Sequence, residues 1–258
     1  MQFIDTHCHI DLIQEKAGLT GFSETLQFMS PLPQAIIQVA CHPESFGQTL
    51  PYLDDPRIFA AFGVHPHEAS LYSSVVEGEL KKFLAHPKAV ACGEMGLDYH
   101  YDFSPREIQR TVFEQQLALA KSLQKPIVLH TREAEADTLA ILRNTPLHGQ
   151  SIHVHCYTGD LAFAKSLLDL DAQVFFGFTG ILTFKTAEEI RRVAAFLPED
   201  RLLTETDAPF LAPIPHRGKT AHPGMIGLVL QALANARGVS ADHLAPICLA
   251  NAKRFYGI

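Results

Sequence analysis

Gln2-Phe3-Ile4-Asp5-Thr6-His7-Cys8-His9 is a short strand-type run that starts apolar and ends in two histidines. Side chains alternate between the faces of a strand, so His7 and His9 project from one side and Asp5 points the same way one layer deeper. Seven more runs are built alike, at residues 35–41, 58–65, 89–94, 127–130, 151–155, 173–178 and 201–207. Longer segments of helical period separate them, which is the pattern of repeated βα units on a parallel sheet. Eight such units predict an α/β fold, a (β/α)8 TIM barrel, which commonly takes roughly 250 residues. The chain has 258 and shows no linker, so residues 1–258 are expected to be a single domain.

The clearest helix signal is Ser104-Pro105-Arg106-Glu107, where Ser104 is expected to cap, Pro105 suits the first turn and Glu107 completes a capping box. Phe113, Leu117 and Ala120 then mark an apolar face, as do Ala136, Leu139 and Ala140, and Ile190, Val193 and Leu197, in two later segments. Pro209, Pro213, Pro215 and Gly218 predict a long loop after the eighth run, before helices near 224–237 and from about Ala241.

Hydrophobic residues make up 47% of the chain and charged ones 19%, which suits a globular core and excludes a disordered chain. The net charge of -7 excludes a long electrostatic footprint on duplex DNA, so any nucleic-acid contact must be local. Cys8, Cys41, Cys92, Cys156 and Cys248 form no CxxC pair and no even framework, as expected in a reducing cytoplasm. No apolar stretch reaches the ~18 residues of a membrane span, and the first residues leave no room for a signal peptide. Cytoplasmic localisation without membrane association is expected, and no obligate protein partner is evident.

The chemistry lies in how the runs end. His7 and His9 close the first, His65 the third, Glu94 the fourth, His130 the fifth, His155 the sixth and Asp207 the eighth. That end of a barrel is the face where catalytic residues gather. One histidine alone is more often a hydrogen-bonded structural residue. Four of these five histidines and the two carboxylates converging from several strands are another matter, because buried acids need an ion or a partner to offset their charge. Mixed imidazole and carboxylate donors accept Zn²⁺, Mg²⁺ or Mn²⁺, and six donors exceed the needs of one ion. Two divalent ions sharing a carboxylate are expected.

These residues sit in Asp5-Thr-His-Cys-His-Ile-Asp11, Gly63-Val-His-Pro-His67, Gly93-Glu-Met-Gly-Leu-Asp-Tyr99, His130-Thr-Arg132, His155-Cys-Tyr-Thr-Gly159 and Glu205-Thr-Asp-Ala-Pro209. Together, in this order and across essentially the whole chain to Asn251-Ala-Lys-Arg-Phe255, they resemble the TatD family of hydrolases. The resemblance implies a metal-dependent barrel related to the amidohydrolases, with deoxyribonuclease activity in several members. It implies that His7, His9, Glu94, His130, His155 and Asp207 are the metal ligands, with Glu94 bridging. His7, His9 and Asp207 would hold one ion, and His130 and His155 the other. His65 and Arg132 match positions near the substrate phosphate. The chain departs from the family at Ala221-His222-Pro223, where members commonly carry Asn-Glu-Pro, and substrate preference is affected there.

Asp5 and Glu205 are expected to orient ligand histidines from behind, while His153 is expected to be a buried polar pair holding the barrel together. Cys8 and Cys156 read as small core residues, and His67, His100, His216 and His222 as exposed loop histidines. The mechanism expected is attack by a metal-activated water, with Asp207 orienting or deprotonating it and a protonated His65 steadying the phosphate or the departing oxygen. The substrate expected is a single-stranded DNA end, degraded 3'-5', with Tyr99, Tyr101, Phe103 and Tyr157 available as stacking platforms and Arg217 and Lys219 as further cations. Two rivals stand beside this. One is a carboxylic ester or amide hydrolase, such as an aminoacyl-tRNA deacylase. The other is a non-catalytic binding protein, whose mark would be a missing ligand, and every ligand position here is filled.

Overall fold

Eight strands lie where the eight runs lie: β1 (Ile4–Cys8), β2 (Ala35–Ala40), β3 (Ile58–Phe62), β4 (Ala89–Asp98), β5 (Ile127–Arg132), β6 (Ser151–Val154), β7 (Gln173–Phe178) and β8 (Leu202–Thr204). The structure is a computed structural model and describes all residues, 1–258. The strands form one sheet in sequence order, every neighbouring pair parallel. The last seam, β1 against β8, closes through the segment after β8 rather than by a regular ladder. Asp207 N donates to His7 O at 2.9 Å and His9 N to Ala208 O at 2.8 Å. Backbone bonds therefore hold the segments carrying His7, His9 and Asp207 together.

The helices are α1 (Ile10–Ala17), α2 (Phe22–Phe28), α3 (Ser45–Thr49), α4 (Ser74–Leu84), α5 (Arg106–Ser122), α6 (Glu135–Asn144), α7 (Leu161–Leu168), α8 (Glu188–Phe196), α9 (Ile226–Arg237) and α10 (Ala241–Tyr256). None is long and apolar enough to cross a membrane. Apolar packing falls into two layers: a cluster of 54 buried residues between strands and helices, and one of 12 inside the barrel. The inner cluster stacks Val39, Ala61, Val128, Phe175 and Leu203 against Phe255 and Tyr256 of α10, which plug the end opposite the histidines. The barrel is thus filled below, and its polar side chains gather above.

Two helix details differ from expectation. Ser104 does not cap α5; its hydroxyl donates to His67 O at 2.7 Å and accepts from Ser70 N at 3.1 Å, pinning the loop after β3. The α6 face turned inward is Thr138, Ile141 and Leu142, while Ala136 and Ala140 are exposed. The Thr138 hydroxyl pairs with that of Thr131 at 2.9 Å, so a polar residue occupies a buried position that hydropathy alone assigns outward.

Candidate metal centre

At the open end, donor atoms from five strands meet around Glu94. Its Oε2 lies 3.3 Å from His7 Nε2, and its Oε1 lies 2.6 Å from His130 Nδ1 and 3.7 Å from His155 Nε2. His7 Nε2 and His9 Nε2 stand 3.2 Å apart. Asp207 Oδ1 is 3.7 Å from both His9 Nε2 and His155 Nε2, and 3.9 Å from His7 Nε2. The structure thus brings all six expected side chains together, with one Glu94 oxygen facing each half of the set.

The partners on the far side of each ring fix which nitrogen is free. His9 Nδ1 faces Val39 O at 2.9 Å, so in the neutral ring it carries the proton and Nε2 holds the lone pair. Glu205 Oε1 lies 3.0 Å from His155 Nδ1, which frees His155 Nε2 in the same way. His130 is reversed and held from both sides: its Nε2 is 3.0 Å from Asp98 Oδ2 and its Nδ1 2.6 Å from Glu94 Oε1, so Nδ1 is the atom an ion would take, in exchange for the proton that it shares with Glu94. His65 differs in kind. Its Nδ1 accepts the backbone N–H of His67 at 3.1 Å, so in the neutral ring Nε2 keeps its proton, 3.6 Å from Glu94 Oε1. A nitrogen bearing a proton is a donor, not a ligand.

All of these separations but one suit divalent ions; the exception is the 2.6 Å contact of His130 Nδ1 with Glu94 Oε1, a direct hydrogen bond. Bonds of about 2.0–2.1 Å place two ligand atoms on a tetrahedral ion about 3.3 Å apart. The two facing Nε2 atoms of His7 and His9 could otherwise share at most one proton across their contact, and His7 Nδ1 is buried with no hydrogen-bond partner. Burial and the neighbouring His155, whose ring stacks on His7 at 3.5 Å, lower the His7 pKa to about 4. His7 is therefore neutral at pH 7. For His155 burial favours neutrality, but the charges of Glu205, Glu94 and Asp207 outweigh it and raise the pKa to about 9. Glu94 and Glu205 resist burial likewise: the surrounding histidines hold both well below the usual carboxylate range. The cluster is a set of buried anions awaiting positive charge, from protons or from ions.

The backbone is shaped for the same purpose. Asp207 and Cys156 have φ of 54° and 44°, a left-handed conformation that costs free energy for a residue with a Cβ. Both lie where the chain leaves a strand beside the cluster. Gly177 carries no side chain because a Cβ there would stand 2.3 Å from His153 Nε2 and 2.6 Å from Glu205 Oε2.

Some residues sit otherwise than expected. Asp5 reaches no histidine ring. Its carboxylate accepts from the backbone N–H of His7 and Thr206 and from the Thr206 hydroxyl, lacing the β1–β8 seam. The β1–β2 register shifts between Asp5 and Cys8. Cys156 is half-buried at the left-handed turn after β6, its N–H donating to Glu205, and is not a core residue. His67 is turned in, 3.1 Å from Asp98 Oδ2, and His222 is half-buried against Phe28, away from the cluster. Cys8 lies in the outer core and His100 is exposed. His153 is fully buried between Tyr256 Oη at 2.8 Å and Glu205 Oε2 at 2.9 Å.

Asp98 is the functional candidate that sequence reading left without a role. Burial opposes its charge, but hydrogen bonds from His130 and His67 hold it well below the usual carboxylate range. The signal was present: Asp98 ends β4, four residues after Glu94, in a motif that already drew attention. Gln38, Gln109 and Gln116 were also missed. These buried amides bond the backbone of Ile10, Asp98 and Val64 respectively, near strand ends that carry site residues.

Of the four candidate platforms, Tyr157 is buried with its hydroxyl on Asp160 O, and Tyr99 is held by Asp137 and covered by Arg106. Tyr101 and Phe103 are 49% and 69% exposed and stack on each other. Arg132 has no carboxylate among its contacts and lies 4.9 Å from the Tyr101 ring centre. Arg217 packs on Phe184.

Comparison with known proteins agrees with this geometry. A family model described as TatD related DNase matches residues 4–257. The chain is 35% identical over 255 residues to the uncharacterized metal-dependent hydrolase YabD of Bacillus subtilis, covering 98% of each protein. It is 37% identical over 267 residues to the human 3'-5' RNA nuclease TATDN2, matching 99% of this chain but spanning only 35% of that longer protein. The crystal structure of YJJV, a TatD homologue from Escherichia coli, superposes with a TM-score of 0.88 at 30% identity, over 99% of this chain and 98% of the other. The chain belongs to the TatD family of metal-dependent hydrolases.

Proposed function

We propose that this protein hydrolyses phosphodiester bonds at the end of single-stranded nucleic acid, 3'-5', with two divalent ions held by His7, His9, Glu94, His130, His155 and Asp207. The observation that carries the proposal is the division of Glu94, one oxygen toward His7 and the other toward His130 and His155. A carboxylate so placed suits two ions at the spacing of about 3.5 to 4 Å found in two-metal hydrolases. When bound, such ions supply Lewis acidity toward the phosphoryl oxygens and a water of lowered pKa.

The chain's own groups divide the remaining tasks. Asp207, 13% exposed and the accessible carboxylate of the set, turns Oδ1 to the ligand nitrogens and takes the proton of the attacking water at its other oxygen, Oδ2. His65 donates through Nε2 to a phosphoryl oxygen as a neutral imidazole, because burial pushes its pKa well below the usual histidine range. This replaces the protonated His65 expected at first. Glu205 fixes the tautomer and orientation of His155, and Asp98 those of His130. Arg132 binds the phosphate.

That unpaired guanidinium favours a phosphodiester over a simple carboxylic ester, which is neutral and offers no anionic oxygen for it to hold. DNA remains the first substrate to test and RNA the second, since the human relative is named as an RNA nuclease. The five cysteines are all free thiols, in keeping with a reducing cytoplasm as the compartment. The test is turnover of end-labelled single-stranded DNA and RNA by the metal-loaded protein. Stepwise shortening from the 3' end supports the proposal, and an intact strand beside a hydrolysed carboxylic ester refutes it.

A further inference from the structure

We propose that Phe103, stacked on Tyr101, is the platform for a nucleobase of the bound strand, and that Arg132, packed on Tyr101, takes a phosphate of the same strand. The proposal rests on the phosphodiesterase reading and adds to it a base-binding subsite with its own residues.

Three observations carry it. The first is the pair itself: ring centres 5.4 Å apart, planes 10° from parallel, at the mouth and open to water. Apolar rings kept in water cost free energy that stacking against a base recovers, and every base offers a π-face. The second is the neighbouring charge. The Arg132 guanidinium is near the Tyr101 ring and, on β5, lies two residues beyond His130, so it faces the same side of the strand as a candidate ligand. A cation and an exposed aromatic ring that share Tyr101 as a neighbour match the phosphate and base of one strand.

The third is rigidity. Asp98 Oδ1 accepts from His100 N at 3.0 Å and from Tyr101 N at 3.2 Å, and Arg106 grips Asp102 with two bonds of 2.9 Å. Ser104 ties the far end of the loop to His67 O, and the His67 ring packs edge-on to Phe103 with centres 4.8 Å apart. A ring fixed before binding loses little entropy on binding. Asp98 also touches His130, so the platform stands at a set distance from the centre.

The test uses the full chain loaded with Mn²⁺ or Zn²⁺ and a single-stranded oligothymidylate in which 2-aminopurine replaces one base at a time. With wild-type protein, fluorescence is expected to be quenched on binding at one position near the cleaved end. Phe103→Ala should abolish that quenching and raise KM by roughly ten-fold or more, while Phe103→Trp restores both. The penalty should shrink on a strand made abasic at that position, and metal content should match the wild type. A strand cleaved normally by Phe103→Ala with unchanged KM would overturn the platform and leave the phosphodiesterase reading intact. A wild-type protein that cleaves neither DNA nor RNA would overturn both.

Discussion

Asp98 Oδ2 lies 3.0 Å from His130 Nε2, and this contact decides which nitrogen of His130 faces Glu94. Carboxylates placed behind a ligand histidine commonly contribute 10–100-fold to metal affinity. Asp98→Asn is expected to weaken one of the two sites by about that factor and leave the other unchanged. Competition against a chromophoric chelator resolves the two sites. Equal affinities in the variant and the wild type would remove Asp98 from this role.

Asp207 combines a left-handed backbone with the accessible carboxylate of the cluster. Asparagine tolerates that backbone conformation, so Asp207→Asn should fold normally. Turnover should nevertheless fall by at least ~10². Circular dichroism with steady-state kinetics separates the two effects. A folded variant that keeps most of its turnover contradicts the proton-accepting role.

The raised pKa of His155, about 9, means that the metal-free protein carries a proton on that ring at neutral pH. A bound ion must displace it. Metal uptake at pH 7 should therefore release protons, and affinity should rise with pH from neutrality toward that value as the His155 proton is lost. Calorimetry in two buffers of different ionisation enthalpy measures the release directly. A binding enthalpy independent of buffer would show that no proton leaves.

A net charge of -7 leaves the strand to be held by a few local contacts. On a single strand, log affinity falls by roughly 0.7 per neutralised phosphate for each unit of log salt, so two or three contacts give a slope near roughly -2. Arg132→Ala should flatten that slope by roughly 0.7 without loss of metal. Binding measured across a salt series checks this, and an unchanged slope would free Arg132 from phosphate contact.

Much of this was legible in the sequence because a parallel barrel writes its strands as short apolar runs and its site at their ends. All eight strands fall inside or overlap the runs so marked, and His7, His9, Glu94, His130, His155 and Asp207 meet within one cluster. What stayed hidden depends on partners far along the chain. Ser104 looks like a cap until His67 is seen to use it, and the inward Thr138 looks like a surface residue until Thr131 is found beside it. Asp5 obeys two-residue alternation on paper, but its carboxylate is taken up by Thr206 and the His7 backbone N–H, partners that spacing does not reveal. Asp98 needed the geometry of His130 before its carboxylate had a purpose.

The most direct measurement is phosphodiester cleavage by one preparation before chelation, after it, and after metal is restored, with elemental analysis at each stage. The expected result is about two divalent ions per chain, shortening of single-stranded DNA or RNA that stops when they are removed, and recovery with Zn²⁺, Mg²⁺ or Mn²⁺. A protein that takes up no metal and gains no activity from any of the three, or that turns over carboxylic esters while both nucleic acids stay intact, would contradict it.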